Sequence, residues 1–95
     1  MALLSDDDIT TALALLPGWG LDQGMLVKAY VFPDGFMPAI GFVDRVAVAA
    51  EAADHHPDID IRWNTVTLRL VTHDQGGITD KDTALAAECD RLAAG

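Results

Sequence analysis

The spacing of apolar residues along this chain alternates between helical and strand periods. Ile9, Leu13 and Leu16 recur at helical spacing. Ser5 precedes Asp6, Asp7 and Asp8, so a capping hydroxyl stands beside acids that suit the positive end of the helix dipole. Pro17-Gly18 stops that helix. Trp19 to Phe32 reads as two short strands about a turn near Asp22-Gln23-Gly24, the second running from Met25 to Phe32. Pro33-Asp34-Gly35 makes a further turn.

A long helix is expected from about Met37 to Asp54. Ile40, Val43, Ala47 and Ala50 form one apolar stripe on it, and Phe42, Val46 and Ala49 form another. A helix apolar on two faces is buried on two faces, so one should meet the sheet and the other a partner subunit. Pro57 ends the helix by pushing His56 out of the α region. Ile59, Ile61 and Trp63 alternate with Asp60, Arg62 and Asn64, the pattern of a half-buried strand. Val66, Leu68 and Leu70 alternate with Thr67, Arg69 and Val71 in a second. A tight turn at Asn64-Thr65 would put both apolar sets on one face and Asp60 opposite Arg69. The same parity puts His73 with Thr67 and Arg69, away from the packed face. After a Gln75-Gly76-Gly77 loop, Thr79 caps a last helix in a capping box with Asp82, and Leu85, Cys89 and Leu92 give it a buried stripe. The order is helix, hairpin, helix, hairpin, helix, an α+β arrangement within one domain spanning residues 1–95.

Composition narrows the function. The chain has 95 residues, a net charge of −9 and 51% hydrophobic residues. The basic residues Lys28, Arg45, Arg62, Arg69, Lys81 and Arg91 are scattered, which argues against direct nucleic-acid binding. Cys89 has no second cysteine to pair with, in keeping with a reducing compartment. The opening Met1-Ala2-Leu3-Leu4 stretch lacks a basic leader pattern, and no run approaches the ~20 apolar residues of a membrane span. A soluble, cytoplasmic protein with no membrane partner is expected.

The candidate chemistry lies in the histidines. His55, His56 and His73 are the whole complement; Glu51 and Asp54 precede them, Trp63 falls between them and Asp82 follows. Histidine titrates near neutrality and suits proton transfer. Glu51 and His55, four apart on a helix, should be neighbours, with His55 at the negative helix end. His56 must point elsewhere, and His73 arrives from a strand end. An acid and a base approaching one small molecule from different sides suit a dehydration, with Trp63 as a flat wall for a planar ring. Each residue taken singly has an ordinary reading: a helix-end or strand-end histidine, a core tryptophan, a capping aspartate, a solvated glutamate. A zinc site is disfavoured, because adjacent histidines rarely chelate one ion and no H-x-x-x-H pair is present.

Together these residues resemble the pterin-4a-carbinolamine dehydratases, also called dimerisation cofactors of a homeodomain transcription factor. The matching pattern is Glu51, Asp54-His55-His56-Pro57, Trp63, Thr72-His73, and Gly77-Ile78-Thr79 through Asp82. Leu4-Ser5 to Trp19 and Phe36 to Glu51 are similar too, so the likeness spans nearly the whole chain. The resemblance implies a four-stranded antiparallel sheet with three helices packed on one face. It implies homodimers that extend the sheet edge and homotetramers that bundle the second helix. The implied reaction removes water from a 4a-hydroxytetrahydropterin to give a quinonoid dihydropterin, in tetrahydrobiopterin recycling, with no metal or organic cofactor. His55 and His73 would be the acid–base pair, and His56 would orient the pterin. Glu51, Asp54 and Asp82 would tune the histidines and hold ring nitrogens. Trp63 stands where Tyr is common, Ile59 where some members have Trp, and Lys81 where some have Arg. An alternative is a non-catalytic binding, assembly or dimerisation cofactor on the same fold.

Overall fold

A computed structural model describes residues 2–95, so Met1 of the opening stretch lies outside the described residues. The chain runs α1 (Asp6–Ala14), β1 (Gly20–Asp22), β2 (Met25–Val31), α2 (Phe36–Ala53), β3 (Asp58–Arg62), β4 (Thr65–Leu70) and α3 (Asp80–Ala94), with a 3₁₀ turn at His73–Gln75. The strands form an antiparallel sheet in the order β1-β2-β4-β3. The fold is α+β, in the expected order.

Local chemistry sets the element ends. Ser5 caps α1 by accepting from the Asp8 backbone N–H at 3.1 Å. The β1–β2 hairpin closes through Gln23 and Gly24, both at positive φ (52° and 78°), a conformation that matches the twist of the flanking strands. Pro38 is tolerated in α2 because it lies in the first turn, where its missing N–H has no helical partner to lose.

The core lies between the sheet and the helices. Leu26 and Tyr30 of β2 share the covered face with Val66, Leu68 and Leu70 of β4. Phe42 of α2 is fully buried and packs its ring on Tyr30 at 4.8 Å and Phe32 at 5.2 Å. The buried stripe of α2 is Ala39, Phe42, Val46 and Ala50. It thus draws from both of the stripes read in the sequence, while Ala47 is exposed and Ile40 and Val43 are half-buried. Leu85, Ala86 and Cys89 of α3 complete the core. Burial pushes the Cys89 thiol up to about 12, with Asp90 and Glu88 adding to the shift, so it is an inert packing group.

The second hairpin departs from expectation. Its two-residue turn is Trp63-Asn64, one position earlier than Asn64-Thr65, with Trp63 at φ 51°. Asp58 therefore faces Arg69, and Asp60 faces Thr67. Ile59 and Ile61 still share the face of Leu68 and Val66. However, β3 is an edge strand, every residue of it is exposed, and it is not half-buried. Among the described residues, no helix is long and apolar enough to cross a membrane.

Candidate functional site

The chain leaves α2 through a left-handed residue. Asp54 adopts φ 50°, its N–H bonds the Glu51 carbonyl at 3.2 Å, and the His55 N–H reaches back to the Ala50 carbonyl at 3.0 Å. This is the Schellman pattern, usually built on glycine. It swings His55 off the helix axis and into the molecule. The expected Glu51–His55 pairing therefore does not form. Glu51 instead meets His56, Oε1 to Nε2 at 2.5 Å, and both side chains are largely exposed. The four-residue spacing predicts neighbours only while the helix continues, and here it ends two residues before His55.

His55 is buried and its Nε2 lies 2.6 Å from Asp82 Oδ1. Asp82 is fully buried at the first turn of α3. Its Oδ2 accepts from the Thr79 N–H at 2.9 Å, which forms the capping box, and from the Thr72 hydroxyl at 2.8 Å. The Thr72 and Thr79 hydroxyls lie 2.8 Å apart. A carboxylate only accepts, so the ring proton of neutral His55 belongs on Nε2. Nδ1 is then the free nitrogen. It has no hydrogen-bond partner among the described residues, and no buried side-chain nitrogen or oxygen there lacks one, so Nδ1 reaches solvent.

His73 follows Thr72 directly and opens the 3₁₀ turn after β4, rather than lying on the strand itself. Thr72 pairs with Gly77 across the base of that turn, and Gly76 closes it at φ 77°. The His73 side chain is exposed. Two of the three histidine positions thus meet one buried polar cluster: His55 through its ring, and His73 through its chain neighbour. His56 and Glu51 sit on the surface beside it. The Asp54 side chain is exposed, and its backbone turn is what places His55.

Trp63 stands apart. It occupies the β3–β4 turn, 68% exposed, at the opposite end of the hairpin from residues 57 and 72. Six residues of strand separate the two ends, about 20 Å. Within one chain Trp63 is not placed to wall a ring held at the histidines, because its left-handed backbone makes it the hairpin tip. A groove of about 400 Å³ lies between α2 and α3, lined by alanines with Lys81, Leu85 and Glu88, and contains no histidine. No group of three metal-ligating side chains is assembled among the described residues.

Sequence reasoning read Thr72 as part of a motif and Thr79 as a cap, and missed that their hydroxyls join one cluster. The capping box was the available signal. The approach of Thr72 had none, because it depends on how β4 meets α3.

The family described as "Pterin 4 alpha carbinolamine dehydratase" matches residues 2–92. The chain belongs to this family. A relative from Mycobacteroides abscessus, provisionally named a pterin-4-alpha-carbinolamine dehydratase, is 58% identical over 90 residues, covering 95% of each chain. A relative from Chloroflexus aurantiacus with the same provisional name is 50% identical over 92 residues, covering 97% of this chain and 98% of its own. Among solved structures, a transcriptional coactivator/pterin dehydratase from Brucella melitensis superposes with a TM-score of 0.92 at 30% identity, over 96% of this chain and 98% of that one. A pterin dehydratase-like protein described as a RuBisCO assembly factor in the alpha-carboxysome aligns at TM-score 0.66 and 26% identity, over 81% and 88%. The family, the sheet order and the buried His–Asp pair are thus found in one chain.

Proposed function

We propose that the protein is a pterin-4a-carbinolamine dehydratase that works by histidine acid–base catalysis. The observation that carries this is His55, whose Nε2 is held by a fully buried carboxylate while Nδ1 faces outward. Family membership supplies the substrate class. In the reaction the C4a–O bond breaks and its electron pair leaves with oxygen. An acid protonates that oxygen to release water. The adjacent ring nitrogen forms a C=N bond and loses its proton to a base. His55 and His73 take these two roles, with His56, paired to Glu51, orienting the pterin. Asp54 and Asp82 hold the turn and the His55 ring. A flat contact from Trp63 would have to come from a neighbouring copy, given its distance within one chain.

Homo-oligomers fit this reading. The open edge of β3, with Ile59 and Ile61, and the exposed Met37 and Val48 of α2 are the surfaces a dimer or tetramer would cover. Light scattering after size exclusion tests this. The decisive assay for function is the decay of the transient absorbance of 4a-hydroxytetrahydropterin. Micromolar protein should accelerate it, and an unchanged decay would refute the dehydratase. A second reading, as a binding or assembly factor, is motivated by those apolar surfaces and by the structural neighbour described as an assembly factor. A stoichiometric protein partner together with absent dehydratase activity would favour it.

A further inference from the structure

We infer that Thr72 is a positioning residue for the proposed dehydration, holding Asp82 so that His55 stays in one tautomer and tying that ring to the turn that carries His73. The inference rests on the dehydratase reading for its effect on rate, but its structural part does not.

The hydrogen-bond directions in the cluster are forced. Asp82 is fully buried, and as a carboxylate it can only accept. Thr72 must therefore spend its one hydroxyl proton on Asp82 Oδ2, 2.8 Å away. The contact between Thr72 and Thr79, also 2.8 Å, must then be donated by Thr79. Thr79 in turn accepts from the Lys81 N–H at 3.3 Å. The protons thus run one way, from the α3 backbone through Thr79 and Thr72 to the carboxylate, and the His55 Nε2–H meets its other oxygen at 2.6 Å. Each donor has one acceptor, and no buried side-chain nitrogen or oxygen among the described residues is left without a partner.

Thr72 is also the base of the His73 turn. Its N–H bonds the Gly77 carbonyl at 2.9 Å, and its carbonyl accepts from Gln75 at 3.1 Å and Gly76 at 2.9 Å. The backbone of Thr72 shapes the turn, and its hydroxyl fastens it to the carboxylate that holds His55. One residue thereby couples the settings of the two histidines. Without the hydroxyl, Asp82 Oδ2 keeps only the Thr79 N–H, so the carboxylate can turn about that bond away from Nε2, and the Nδ1–H tautomer of His55 becomes accessible.

The test compares Thr72→Val, which keeps the shape and removes the hydroxyl, with Thr72→Ser, which restores it. In ¹⁵N spectra of histidine-labelled protein without ligand, neutral His55 should be protonated at Nε2 in wild type and Thr72→Ser, and mixed between tautomers in Thr72→Val. The dehydration rate constant should fall about tenfold in Thr72→Val, by the scale of partners that orient a functional histidine, and return to within about threefold of wild type in Thr72→Ser. An Nδ1–H tautomer in wild type, or wild-type spectra and rates in Thr72→Val, overturns the inference. If wild type shows no dehydratase activity while the tautomer still follows Thr72, the proposed function fails and the positioning stands.

Discussion

Helix α3 carries two aspartates that hold the fold together in similar ways and differ in what they leave open. Asp82 lies in its first turn and Asp90 eight residues on, about 12 Å further along the axis. Each gathers three donors. Asp82 takes His55, Thr72 and the Thr79 N–H. Asp90 Oδ1 takes Trp19 Nε1 at 3.0 Å, Lys28 Nζ at 2.8 Å and Tyr30 OH at 2.5 Å. Lys28 gives a second bond to the Pro17 carbonyl, and its ammonium sits over the Tyr30 ring. This cluster staples the loop after α1, strand β2 and α3. Burial, aided by Asp90, pushes the Tyr30 hydroxyl far above its ordinary pKa, so it stays a neutral donor. At Asp82, by contrast, one of the donors is a ring with a second nitrogen that reaches solvent. Donor number does not separate the two carboxylates, although Asp82 is fully buried and Asp90 half-buried. The difference lies in whether a partner has another atom facing outward.

The strongest way to break the contrast is to remove that ring. His55→Ala should lower the dehydration rate ~10²–10⁴-fold, the usual contribution of a positioned acid or base, as read in stopped-flow assays. A fall of less than about threefold would put the chemistry elsewhere. At the other cluster, Asp90→Ala should destabilise the protein by ~1–3 kcal/mol, because Tyr30 and Trp19 lose their acceptor in a part-buried site. Urea unfolding measures this, and the dehydration rate should stay within about threefold of wild type.

Acid sharpens the same comparison with a smaller effect. Burial pushes the Asp90 carboxyl up, but hydrogen bonds from Lys28, Tyr30 and Trp19 and the Lys28 charge outweigh it, so the net shift is downward. A folded-state pKa below the unfolded value means the unfolded chain binds the proton first, so stability rises with pH in that window. This part of the stability is present above the ordinary aspartate value of about 3.9 and fades as pH falls below it. Asp90→Asn should flatten that portion of the acid-unfolding curve, and an unaltered curve would count against the staple. The smallest effect belongs to the exposed Glu51–His56 pair. Glu51→Gln should change stability by less than ~1 kcal/mol in urea unfolding.

These clusters also mark what could be read from the sequence. The element order was legible because each element announces itself locally: Ser5 and the three acids, Pro17-Gly18, the alternation through β4, the Thr79–Asp82 box. The histidine set was legible as a pattern of spacing. Its internal pairing was not, since a left-handed Asp54 reversed which histidine meets Glu51 and which turns inward. Aspartate rarely takes the position that glycine usually fills, so nothing in the residues signalled the turn. The one-residue shift of the β3–β4 turn was hidden in the same way, by a tryptophan at positive φ. The Asp90 cluster was invisible, because its partners lie 60 to 71 residues away and follow no period.

The most direct measurement sets the two aspartates side by side in one assay. The decay of 4a-hydroxytetrahydropterin should be followed with wild type, Asp82→Asn and Asp90→Asn at equal concentrations of folded protein. The account predicts acceleration by wild type, a loss of at least ~10²-fold in Asp82→Asn, whose proposed role is to hold the acid–base ring, and a rate within about threefold of wild type in Asp90→Asn. Equal rates in the two variants, or no acceleration by wild type, would contradict it.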